Sequence, residues 1–190
     1  MIEPSSERTI VLIGPMAVGK TTIGTELAAL TGRDFADSDQ VFEAKSGKIS
    51  QVFASRGEQW FRQQEARIIA ELIGGDKPLV LSVGGGAVLD SGTQQLLAKA
   101  TVVFLEADLE TVRERIVRSS SRPLLNATGV DPLKKWLQLF SDRELVYRKL
   151  ADLTLDVRHG TPQELASTLK ELIWPVAKPH QKDQIAEESL

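Results

Sequence analysis

Residues Gly14–Thr22 read GPMAVGKTT; Gly14 and Gly19 enclose four residues before Lys20 and Thr21, completing the pattern G-x-x-x-x-G-K-[ST]. The run before it, TIVLI at Thr9–Ile13, is short, β-branched and apolar, as a buried strand would be. The run after it, TIGTELAAL at Thr22–Leu30, places Ile23, Leu27 and Leu30 on one side of a helix. Strand, glycine loop and helix in succession separate a phosphate-binding loop from a chance match. Gly14 and Gly19 permit a tight turn whose backbone N–H groups face inward around an anion, and the helix N-terminus adds partial positive charge. Lys20 then reaches the β- and γ-phosphates, and the Thr21 hydroxyl is a ligand for Mg²⁺. The loop implies nucleotide binding and leaves the phosphoryl acceptor open.

Further apolar runs recur at KPLVLSV (Lys77–Val83), ATVVFLEA (Ala100–Ala107) and DLTLDV (Asp152–Val157), with a weaker one at RDFAD (Arg33–Asp37). Helical stretches lie between and after them, over Gln59–Ile73, Gly92–Ala98, Leu109–Val117, Pro132–Leu150 and Pro162–Ile173. Uninterrupted apolar strands alternating with helices predict a parallel sheet covered on both faces. Met1–Arg8 reads as a loose lead-in, and Trp174–Leu190, mostly polar with two prolines, as a poorly ordered tail.

Composition narrows the chemistry. The 190 residues suit one domain over 9–173, and the 42% hydrophobic content is ordinary for a soluble chain. A net charge of −3 argues against a nucleic-acid surface as the main purpose. With no cysteine and only His159 and His180 as imidazoles, thiolate catalysis, disulfides and a zinc site are set aside. MIEPSSER lacks the basic and apolar regions of a signal peptide, and no apolar run approaches membrane-spanning length. The expectation is a cytoplasmic enzyme with neither a nucleic-acid nor a membrane partner.

Ligands in such sheets gather at the C-terminal ends of the strands. There DSD (Asp37–Asp39) offers two carboxylates, read either as a cap in which Ser38 or Asp39 starts the next helix, or as ligands of Mg²⁺ and a polar substrate. SVGGGAV (Ser82–Val88) exposes backbone amides through Gly84, Gly85 and Gly86. In GEQWFRQQE (Gly57–Glu65), Arg62 has Glu58 at i−4 and Glu65 at i+3, either aiming the guanidinium or forming a solvated surface pair. Arg115, Arg118 and Arg122 lie in or beside the serine-rich IVRSSSRPLLN (Ile116–Asn126), and Arg143 sits in SDRELVY. An arginine from a mobile stretch can close over a nucleotide.

Taken together, the segments GPMAVGKTT, DSD, GEQWFRQQE, GGG, RPLL and RELVY resemble, in order and spacing, the motifs of shikimate kinases from about Thr9 to Ile173. The resemblance implies a three-layer α/β/α P-loop kinase fold. A five-stranded parallel sheet, a substrate-binding helical segment and a mobile lid at about 117–126 belong to it. It implies ATP-dependent phosphorylation of shikimate to shikimate 3-phosphate, with Mg²⁺; a monomer is the separate expectation. Gly14, Ala17, Val18, Gly19, Lys20, Thr21 and Thr22 would hold the ATP phosphates, with Thr21 on Mg²⁺ and Asp37 supporting the ion through water. Asp39 would bind a shikimate hydroxyl, close enough to act as the base. Arg62 and Arg143 would grip the carboxylate beside Gly84, Gly85 and Gly86. Arg122 would meet the phosphates from the lid, and Arg115 would lie against the adenine opposite Pro162.

The sequence departs from the family at several points. Ala17 stands where a glycine is usual, a change expected to tighten the loop slightly; Thr21 replaces serine. Leu145 replaces the proline of R-x-P-L-Y, which bears on the pose of Arg143. The third strand ends in Ser82 rather than a Walker-B aspartate, as in the family. A gluconate-type kinase on the same fold and a non-enzymatic nucleotide switch are the competing readings.

Overall fold

The computed structural model describes residues 8–117 and 131–175. The expected lead-in, the expected lid with Arg118 and Arg122, and the expected tail lie outside the described residues, apart from Arg8, Val117, Trp174 and Pro175. Five strands, β1 (Ile10–Ile13), β2 (Phe35–Asp37), β3 (Val80–Ser82), β4 (Thr101–Glu106) and β5 (Leu153–Asp156), form one parallel sheet in the order β2-β3-β1-β4-β5. The helices are α1 (Lys20–Thr31), α2 (Ser38–Ser46), α3 (Ile49–Ile73), α4 (Ser91–Leu97), α5 (Leu109–Val117), α6 (Pro132–Ser141), α7 (Glu144–Leu150) and α8 (Pro162–Ile173). None is long and apolar enough to cross a membrane.

Alternation along the strands makes two cores. Ile10 and Leu12 of β1, with Val103 and Leu105 of β4, pack against α1, α5, α6 and α8. Val11, Ile13, Val102 and Phe104 point the other way, towards α3, α4 and α7. Every β1 side chain is therefore buried, which explains the unbroken apolar TIVLI. A third cluster, Phe42, Val52, Phe61 and Ile68, joins α2 to α3 away from the sheet. Trp174, expected in the tail, packs on the edge of the first core with the Arg33 guanidinium 5.0 Å above its ring.

Register brings the motifs together. Leu12 pairs with Ser82, and Asp37 pairs with the same Ser82, so the loops that leave β1, β2 and β3 emerge at one edge. Gly14–Gly19, the DSD turn and the triple glycine are those loops.

Three helix boundaries differ from the sequence reading. The stretch Pro132–Leu150 is two helices, broken where Arg143 adopts φ −118° and ψ −17°. Its N–H bonds to Phe140 O, tightening the last turn of α6, and no glycine or proline announces the break. Residues 49–56 are helical ahead of the expected start at Gln59, and Gly57 (φ +79°, ψ 166°) kinks α3 between the two parts. The cap of α2 is Asp37 rather than Ser38 or Asp39.

Candidate active site

The phosphate loop runs directly into α1, with Gly19 (φ +105°) as its N-cap. Gly14 (φ +139°) admits no side chain, since a Cβ there would lie 2.7 Å from Leu105 O. Ala17 takes φ +69°, and among the described residues no other non-glycine residue has a positive φ. The alanine carries left-handed strain, a cost of about 1–2 kcal/mol for an L-residue.

Side chains from three helices hold the loop carbonyls. Lys20 Nζ donates to Gly14 O and Pro15 O, both at 2.9 Å. The Trp136 indole N–H of α6 donates to Met16 O at 2.9 Å. From α5, Arg115 Nη1 donates to Ala17 O at 3.1 Å and Val18 O at 3.4 Å. A trans peptide whose carbonyl is held on one side directs its N–H to the other, so these outer latches orient the N–H groups of Ala17, Val18 and Gly19.

At the end of β2 the two oxygens of Asp37 divide their work. Oδ1 accepts from the Asp39 and Gln40 N–H groups (3.0 and 3.3 Å), capping α2, while Oδ2 accepts from Thr21 Oγ1 at 2.7 Å. The cap of this turn is thus Asp37, and the same carboxylate keeps an oxygen beside the Thr21 hydroxyl. The hydroxyl and carboxylate form a hard-oxygen pair that fits Mg²⁺, an ion usually held by one or two protein oxygens plus phosphates and water. Ser38, buried, accepts from Gly84 N–H at 3.2 Å and ties this turn to the glycine loop.

A cavity of about 460 Å³ opens over the loop. Residues 16–23 form its floor; Asp37, Asp39, Gly84 and Gly85 line one end, and Arg115, Val157, Gly160, Pro162 and Leu165 the other. Most of the sequence-predicted nucleotide residues therefore meet in one space. Val157, Gly160 and Leu165 were not anticipated, because nothing in β5 or the turn after it carries a phosphate-type signal.

The acceptor end is a buried ion network. Arg62 Nη1 donates to Glu65 Oε2 at 2.6 Å and Nη2 to Glu58 Oε1 at 3.1 Å. Glu65 is 2% exposed and the Arg62 side chain 19%, which discards the solvated-pair reading. Arg143, 6% exposed, interacts electrostatically with Glu65 and hydrogen-bonds the Tyr147 hydroxyl. That hydroxyl donates to Gly85 O, while the Tyr147 ring stacks on Phe104. Leu145, the departure from R-x-P-L-Y, is 80% exposed and leaves this arrangement untouched.

The triple glycine has an unexpected reason. A Cβ on Gly84 would lie 2.3 Å from Glu65 Oε1, and one on Gly86 would lie 2.3 Å from Arg62 Nη2. The glycines make room first for the protein's own charged groups. Glu65 Oε1 itself is buried without a hydrogen-bond partner among the described residues. Tyr147, Ser38 and Trp136 were missed as site residues; the tyrosine had a signal in the RELVY segment and the serine in DSD, and Trp136 had none.

Burial and mutual repulsion push the carboxyls up. Asp39 rises to about 6 through burial and the nearby Asp37, against the pull of Lys20 and Arg62. Glu65 rises to about 7, mainly through burial, despite Arg62. Burial also raises Tyr147 to about 12, so it stays a neutral donor.

Comparison with known proteins agrees with this geometry. The family profile described as shikimate kinase matches residues 16–174. The shikimate kinase of Francisella tularensis subsp. novicida is 38% identical over 164 residues, 85% of this chain and 92% of that protein. Among solved structures, shikimate kinase from Acinetobacter baumannii in complex with shikimate superposes with a TM-score of 0.83 at 37% identity, covering 88% of this chain and 93% of that one. The shikimate kinase of Bacteroides thetaiotaomicron gives 0.78 at 25% identity, with 87% and 98% covered.

Proposed function

The chain belongs to the shikimate kinase family, and on that premise we propose that it transfers the γ-phosphoryl group of ATP to shikimate, yielding shikimate 3-phosphate and ADP. One observation carries this reading beyond family membership. A single cavity joins the phosphate loop to Asp39, Gly84 and Gly85, beside the half-buried Arg62 and the buried Arg143, both facing Glu65. A planar guanidinium recognises a carboxylate as a fork, and shikimate is a carboxylated triol.

Gly14–Thr22 holds the ATP phosphates, Lys20 neutralises charge on the transferring group, and Arg115 and Pro162 flank the base. Thr21 and Asp37 hold Mg²⁺, which supplies further charge neutralisation on the phosphates when bound. Arg62, Arg143 and the Gly85 backbone fix the shikimate carboxylate, and Asp39 accepts a hydrogen bond from the reacting hydroxyl. The hydroxyl oxygen forms a bond to phosphorus as the bridging oxygen leaves with ADP. The hydroxyl proton passes to Asp39, whose raised affinity for it suits that task. Such transfer depends on in-line positioning more than on a strong base.

Residues 9–173 act as one kinase domain, as a monomer. A cytoplasmic setting supplies ATP and Mg²⁺. The deciding assay follows ADP release from ATP and Mg²⁺ with shikimate, with gluconate and with no acceptor. Stimulation by shikimate alone is expected. Stimulation by gluconate instead, or slow hydrolysis indifferent to any acceptor, overturns the reading.

A further inference from the structure

We infer that Trp136 is a positioning residue for the phosphate loop, holding the Met16–Ala17 peptide in the orientation that nucleotide binding needs. Its indole is 1% exposed, stacks on Phe140 at 5.2 Å with 23° between the rings, and donates to Met16 O at 2.9 Å. The seam formed by Pro15, Met16, Trp136, Leu139, Phe140, Arg143 and Tyr147 leaves about 0 Å³ for a water molecule. The indole side of the bond is therefore closed to solvent, while Met16 itself borders the nucleotide cavity.

Its importance comes from Ala17. The φ of Ala17 and the ψ of Met16 are the two torsions that change when the peptide between them flips. Flipping it would relieve the +69° strain at Ala17, and would also turn the Ala17 N–H away from a bound phosphate. That peptide's oxygen is the atom Trp136 holds. A glycine at this position would feel little pull to flip and would need the latch less. Trp136 therefore compensates for the alanine: one residue supplies the strain, and the other resists it.

The inference rests on the nucleotide reading of the loop, and its test separates the two. Binding of Mg·ADP is measured by calorimetry on the whole chain as wild type, Trp136→Phe, Ala17→Gly and the double variant, with KM for shikimate alongside. Phenylalanine keeps the ring stack and removes the donor. Trp136→Phe should weaken Mg·ADP about 3- to 10-fold, the range of one hydrogen bond, with KM for shikimate changed less than about twofold. In the Ala17→Gly background the same substitution should cost less than about twofold. Unchanged Mg·ADP affinity in Trp136→Phe, or an equal loss in both backgrounds, overturns the inference alone. A wild-type chain that does not bind Mg·ADP overturns the nucleotide reading as well. A second measurement needs no variant: the Trp136 indole N–H proton should exchange slowly in the free protein, and exchange at the rate of an exposed indole overturns the latch.

Discussion

The phosphate loop is nine consecutive residues, Gly14–Thr22, with its carbonyls held by Lys20, Arg115 and Trp136. The acceptor side instead draws Asp39, Arg62, Gly85 and Arg143 from four separated segments and holds them by charge. The first half is a backbone shape, held by side chains that bond its carbonyls one by one. The second is an electrostatic network in which each group sets the proton affinity of the next. Damage should therefore stay local in the first and spread in the second.

The sharpest way to break that contrast is Asp39→Asn, which keeps shape and removes charge. Turnover should fall by about 100-fold or more, the scale of a lost proton acceptor, while Mg·ADP affinity holds within about twofold. If nucleotide affinity fell with it, the two halves would not be separable. Arg62→Lys comes next. It keeps the charge but loses the paired donors to substrate and to Glu65, so kcat/KM for shikimate should drop about 10- to 100-fold in steady-state assays. Wild-type kinetics would return Arg62 to a structural ion pair. Tyr147→Phe removes the hydroxyl shared by Gly85 and Arg143, and KM for shikimate should rise about 5- to 10-fold with KM for ATP unmoved.

The smallest effect is on stability against pH. Glu65 binds its proton more tightly when folded, with its pKa raised from 4.5 to about 7, so the folded state carries the extra proton between those values. Stability should fall as pH rises through that window, and Asp39 adds to the slope below about 6. Melting temperatures at about pH 5 and about pH 7 should differ less in Glu65→Gln than in wild type. An unchanged difference would mean that Glu65 is ionised throughout.

The same contrast explains what was legible. The strands and the nucleotide loop read directly from the sequence because their signals are local: an apolar run, two glycines and a lysine at fixed spacing. Asp39, Arg62 and Arg143 were singled out from their segments and given roles by resemblance, with Glu65 read as the i+3 partner of Arg62, but the link through Glu65 to Arg143 was not seen. Glu65 becomes a buried hub only because α3 lays it against Gly84, and Tyr147 reaches Gly85 across 62 residues of sequence. Pro132–Leu150 looked like one helix because its apolar spacing runs on through Arg143. The break there is set by the tertiary placement of a buried guanidinium, which no local pattern encodes. The left-handed torsion of Ala17 was not legible either, because it is set by the fold of the whole loop.

Asp37 also limits how such a site can diversify. One of its oxygens starts α2 and the other is bonded to Thr21, so any replacement must satisfy two geometries from one short side chain. Serine caps a helix but lacks the second oxygen; glutamate has both oxygens but one methylene too many for the cap. A change of acceptor is therefore expected to be tolerated at Asp39 and the arginines more readily than at position 37, where one substitution would disturb a helix start and a nucleotide-loop contact together.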